Sequence, residues 1–184
     1  FFELSTPTGR VTHASILDFS AAEGTVGLPE EVCRILGLHD LADGTAPEMR
    51  PQLQVRYRAL KRGTFARVQP VAAAFTSDVG DVKLTLEREL QLRTTLSEGD
   101  ELRVHEGGSA YALRITELQP EGAASIIDTD LEVDVLPSVE YEEAMRAEAE
   151  RAKKAQEALE RARSEAAARA LEAAQAQAQA EAQA

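Results

Sequence analysis

The chain has 184 residues and a formal net charge of −12, room for one medium domain or two small ones plus a tail. Val139–Ala184 carries ten acids and seven bases, so most of the negative charge, −9, lies in the first 138 residues. An acidic body repels nucleic-acid phosphates and anionic membranes and suits a basic partner surface. Cys33 is the only cysteine, which excludes an internal disulfide and a zinc site built from several thiolates.

The elements run in order as mostly short strands. Phe2-Glu3-Leu4 is extended and is broken by Thr6-Pro7-Thr8-Gly9. His13–Phe19 is expected as a strand, after which Glu23-Gly24 turns the chain. Leu28-Pro29-Glu30-Glu31 opens a helix, since proline is tolerated in the first turn and two acids face the positive end of the dipole. Leu28, Val32, Ile35 and Leu36 fall on one helical face, and Gly37 is placed to stop it. His39–Pro51 reads as a polar loop. Leu53, Val55 and Tyr57 alternate with polar residues at the period of a half-buried strand.

Gly63 and Pro70 bound another strand. In Asp81–Arg93 the apolar spacing fits both a strand and a helix, and the dominance of Leu, Glu and Arg favours the helix. Leu102–Glu106 and Ser109–Ile115 alternate on either side of Gly107-Gly108, the signature of a tight hairpin. Ser125–Ile127 and Leu131–Val135 complete the body, and Pro137 ends it. At least seven short strands and two short helices suggest small barrels.

From Val139 to about Ala174 nearly every residue favours a helix, which would extend about 54 Å. Glu142 with Arg146, Glu150 with Lys154, Glu157 with Arg161 and Glu165 with Arg169 are acid-first pairs four residues apart, each contributing about 0.2–0.5 kcal/mol. Met145, Leu159 and Leu171 lie too far apart for a heptad seam, so the tail reads as a solvated single helix with a fraying, low-complexity end at Gln175–Ala184.

Catalytic constellations are missing from this pattern. His13, His39 and His105 lie in separate segments without metal-ligand spacing and are expected as satisfied or exposed imidazoles. Cys33, on a small amphipathic helix, reads as a packing or rim cysteine. Asp128-Thr129-Asp130, between two strands, reads as a turn in which aspartate caps its own backbone. Phosphate-binding glycine loops and a nucleophile elbow are absent. No catalytic, cofactor-binding or metal-binding residue is assigned, and the chain is expected not to be an enzyme.

Several segments, in order, resemble the ubiquitin fusion degradation protein 1 family. They are Thr12-His13 running into Ile16–Phe19, Glu23-Gly24, Leu28-Pro29, Leu53-Gln54-Val55, Val68-Gln69-Pro70, Leu86–Leu90, and Leu96 with Gly99-Asp100. The most specific is Tyr111–Ile115 leading to Ala124–Asp134. The resemblance implies a mainly β fold: residues 1–69 as part of a double-psi β-barrel lacking its opening strands, 70–137 as a smaller β-barrel with a helix, and 138–184 as the long exposed helix and tail.

It further implies a ubiquitin- or polyubiquitin-binding adaptor. Such an adaptor works with a nuclear-protein-localisation-4-type cofactor and a valosin-containing-protein-type AAA ATPase in ER-associated and other ubiquitin-dependent degradation. The expected setting is cytoplasmic or nuclear, without direct membrane insertion. No ubiquitin-contacting residue is transferable, and the alanine-rich helix is not part of the resemblance. The competing expectation is a scaffold whose barrels position a partner-binding helix. An ATPase of similar two-barrel architecture is a weaker reading of the same fold. An aspartic-protease-like enzyme on a double-psi barrel would need paired Asp-Thr/Ser-Gly motifs, which do not occur.

Overall fold

The computed structural model describes residues 1–38 and 51–182, with side chains described through residue 166 and at Arg169. Phe1–Glu140 form one compact unit and Tyr141–Ala184 another. The chain is mainly β, with barrel-like strand packing followed by a long helix, as the sequence indicates.

The first unit opens with a three-stranded antiparallel sheet. β1 (Phe2–Ser5) pairs with β2 (Val11–Ala14) on one side and β3 (Gln54–Tyr57) on the other. Between β2 and β3 lies helix α1 (Glu30–Ile35), and Gly37 at φ 71° ends it as expected, with its N–H bonded to the Arg34 carbonyl. The expected strand over His13–Phe19 is shorter in fact, because β2 stops at Ala14. Asp18 accepts hydrogen bonds from the backbone N–H and the hydroxyl of Ser20, the local alternative that draws short polar side chains away from a sheet. The β3 alternation gives a strand but not a half-buried one, since all four of its residues are exposed. The expected loop falls mostly on residues 39–50, outside the described residues.

The larger sheet has the order β6-β7-β4-β9, from β4 (Phe65–Pro70), β6 (Glu101–Glu106), β7 (Ser109–Gln119) and β9 (Glu132–Val135). The β6–β7 hairpin turns on Gly107 and Gly108, both at positive φ, the conformation that favoured two glycines there. In β7, Tyr111, Leu113 and Ile115 alternate inward. A register shift opposite Arg67/Val68 then brings Leu118 inward three residues later rather than two. A two-stranded piece, β5 (Thr95–Ser97) with β8 (Ala123–Ser125), closes one side. The strand expected at Ser125–Ile127 lies two residues earlier, because the backbone turns at Asp128 with φ 47°.

Two short helices cap the core, α2 (Ala74–Asp78) and α3 (Val82–Leu90). The α3 reading holds: Asp81 caps it by accepting from the Leu84 N–H at 2.9 Å, and Val82, Leu86 and Leu90 face the core. α2 and β5 have too few residues to show a periodicity, and sequence reasoning missed both. The core comprises Ala66, Val68, Phe75, Val79, Leu86, Leu96, Leu102, Val104, Tyr111, Leu113, Ile115 and Leu118.

Helix α4 (Val139–Ala182) extends beyond the expected end near Ala174. Residues 140–166 are all exposed, and the Glu150–Lys154 pair closes at 2.9 Å.

Candidate interaction surface

The amino-terminal sheet joins the larger core through a polar seam. Asp100, just before β6, shares the parity of Leu102 and Val104 in that strand and is buried with them, at 6% exposed. The Thr12 hydroxyl on β2 donates to Asp100 Oδ2 at 2.6 Å. Burial pushes the Asp100 carboxyl up to about 6, against the pull of the Thr12 bond, Arg93 and Ser97. Next to it His13 Nδ1 lies 3.0 Å from Ser97 Oγ, and Thr95 donates to the His13 carbonyl at 2.7 Å. Burial also holds the His13 imidazole below its ordinary pKa, opposed by the carboxylate of Glu3. An ion pair from α1, Glu31 to Arg93, ties the helix to the same seam.

The other singled-out residues do not converge. His105, on β6, is exposed and 3.8 Å from Glu89; His39 is outside the described residues. Cys33 is a partly buried thiol whose Sγ is directed at the Leu28 carbonyl, and burial raises its pKa, so it is no activated thiolate. The chain does turn at the start of Asp128-Thr129-Asp130, at Ile127 and Asp128, but the local side-chain bond there is the Thr129 hydroxyl on the Ile127 carbonyl and not the expected aspartate cap. Among the described residues no group of three or more His, Cys, Asp or Glu is placed to hold a metal ion.

Sequence reasoning missed the seam residues, because Thr12 and Asp100 are 88 positions apart. One signal was available: Asp100 continues the inward parity of the following strand, an acid where an apolar residue would be expected.

Beyond the seam, the amino-terminal sheet presents apolar side chains to solvent. Cross-strand partners share a face: Phe2 with Tyr57, and Leu4 with Val55 and the seam residue Thr12. Leu4 and Thr12 are buried on that face, and the side chains that emerge to solvent are Val55 and Tyr57 of β3. Phe2 and Tyr57 meet edge to face at 6.0 Å, yet Tyr57 is 72% exposed and Val55 46%. In the segment after β2, Leu17 is 98% exposed and Phe19 89%. Exposed large apolar side chains on both edge strands of one small sheet are candidates for partner contact. No described helix is long and apolar enough to cross a membrane.

Fold and surface together define a mainly β module with a polar inter-sheet seam and exposed apolar side chains along the edges of its amino-terminal sheet. The family model described as "Ubiquitin fusion degradation protein UFD1, N-terminal subdomain 2" matches residues 62–138, and the chain belongs to that family. Curated relatives extend the likeness well beyond that segment. The chain is 33% identical over 144 residues to the Dictyostelium discoideum ubiquitin fusion degradation protein 1 homolog, covering 78% of this chain and 41% of the relative. It is 32% identical over 154 residues to ubiquitin fusion degradation protein 1 of Saccharomyces cerevisiae, covering 80% and 40%. It is 31% identical over 137 residues to the mouse ubiquitin recognition factor in ER-associated degradation protein 1, covering 74% and 41%. The chain thus spans about two fifths of the length of these relatives.

Proposed function

We propose that this chain is a non-catalytic ubiquitin-binding module of an adaptor that presents ubiquitylated clients for degradation, including ER-associated degradation. The observation that carries the reading is the pair of exposed apolar side chains on β3, Val55 and Tyr57, in a chain one of whose relatives is named for ubiquitin recognition. An exposed aromatic and aliphatic pair suits a folded protein partner, for which aromatic anchors supply most of the contact energy. In this reading the adaptor works in the cytosol or nucleus with a nuclear-protein-localisation-4-type cofactor. A valosin-containing-protein-type AAA ATPase then extracts the clients.

Titration of the full chain with ubiquitin chains, followed by heteronuclear NMR, tests the module. Saturable shifts are expected at Phe2, Val55 and Tyr57, and Tyr57→Ala should weaken binding roughly tenfold, the effect of losing one aromatic contact. Absence of shifts at millimolar ubiquitin would refute it.

A second reading, a scaffold that displays a partner-binding helix, is favoured by one observation: α4 exposes every described side chain from Glu140 to Ala166. Removing residues 141–184 separates the two, because ubiquitin binding survives under the first reading and client recruitment fails under the second.

A further inference from the structure

A cleft of about 260 Å³ lies between the amino-terminal part of the unit and the β6–β7 hairpin, lined by Arg10, Arg34, Ile35, Gly99, Glu101 and Arg114. Three of the chain's 20 basic residues meet here, in a protein of net charge −12. They come from three separate places: the turn before β2, helix α1, and the middle of β7. Arg58, Arg67, Arg88 and Arg93 are each paired with a carboxylate. Arg10, Arg34 and Arg114 make no ion pair among the described residues.

Arg10 is held in place. Its Nη1 donates to the Ile35 carbonyl at 3.3 Å, and its guanidinium occupies the space a side chain at position 37 would need. A Cβ on Gly37 would stand 2.8 Å from Arg10 Nη1 and 2.9 Å from Cζ. On the opposite wall Gly99, at φ 86°, has nothing within 4 Å of its Cβ position, which leaves that side of the cleft open.

We propose that this cleft binds a single phosphate-type oxyanion, free or carried on a side chain, gripped by Arg10, Arg34 and Arg114. Guanidinium groups match such an anion because their N–H donors form paired hydrogen bonds to its oxygens.

The carboxylates nearby set the size of the ligand. Glu101 sits opposite Arg114 in the β6–β7 register and offsets one of the three charges. The adjoining recess, lined by Arg10, Val11, Ile35, Glu98, Gly99 and Asp100, adds Glu98 and Asp100. Glu98 is already engaged by the Leu118 N–H at 2.9 Å and Asp100 by Thr12. A second anionic group on the ligand would meet these acids, so the cleft selects one compact anion and disfavours polyphosphates and nucleic acid.

The test is an NMR titration of the full chain at constant ionic strength. Its arms are inorganic phosphate, a short peptide bearing one phosphoserine, and the same peptide with glutamate in its place. Saturable shifts are expected at Ile35, Gly37, Gly99 and Arg114 with phosphate or the phosphopeptide, and the tighter of the two identifies the source. Arg34→Gln and Arg114→Gln should each weaken binding roughly tenfold, the effect of losing one charged hydrogen bond. Glu101→Gln should tighten it, a gain that damage to the fold would not produce. Unsaturable shifts, equal binding of the glutamate peptide, or unchanged affinity in folded Arg34→Gln and Arg114→Gln proteins would overturn the proposal.

Discussion

Asp100 and His13 sit side by side in the seam, yet they pull stability in opposite directions with pH. Asp100 has a folded pKa of about 6 against an ordinary 3.8, so the folded state holds a proton that the unfolded chain has lost. Its stabilising contribution is full below about 3.8 and is lost as pH rises through about 6. A shift of that size corresponds to about 3 kcal/mol. His13, held below 6.5 by burial, contributes fully above 6.5 and loses its contribution as pH falls through its folded value. Asp100→Asn should therefore remove the acid-favouring part of the profile alone. Melting curves of the two proteins should draw apart as pH rises through about 6, the variant becoming the more stable. Parallel profiles would show that Asp100 is not desolvated as described.

At the scale of the element, glycine decides where α1 ends. Gly37 adopts φ 71° and cedes its Cβ space to Arg10, whereas Gly24 adopts φ 76° with nothing within 4 Å. Gly24→Ala should lose about 1–2 kcal/mol, the cost of a left-handed backbone for an alanine. Gly37→Ala should lose that and the Arg10–Ile35 contact as well. Denaturant unfolding of the two variants isolates the contact as the difference, and equal losses would mean that Arg10 simply swings aside. The β6–β7 hairpin follows the same logic from the other side. Gly107 and Gly108 take the positive φ values that two glycines between alternating runs announce, and the register follows from the turn.

For the whole molecule, every residue of the main hydrophobic cluster lies between Ala66 and Leu118, the partly buried residues packed against it end at Val133, and Leu4, Leu36 and Ala124 are buried outside it. Glu140 still belongs to this unit: its carboxylate accepts from the Ala73 N–H at 2.8 Å, and its own N–H donates to Val71. A chain ending at Glu140 should therefore keep the cooperative unfolding and midpoint of the full chain in urea. A large drop in midpoint would show that the helix contributes to the core. The helix itself rests on alanine-rich propensity and pairs such as Glu150–Lys154, so its circular-dichroism signal should weaken on heating before the body melts.

Local signals carried much of this architecture. The hairpin, the α1 stop, the Asp81-capped α3 and the long charged helix were all readable, because each depends on residues within a few positions of one another. Tertiary structure alone decided the rest. It left Val55 and Tyr57 open to solvent and set Asp100 against Thr12 in the dry seam. It also brought Arg10, Arg34 and Arg114 from distant segments to one cleft. Such pairings join residues tens of positions apart, and one sequence holds no periodicity that links them; only the packing of one sheet against another fixes which meet.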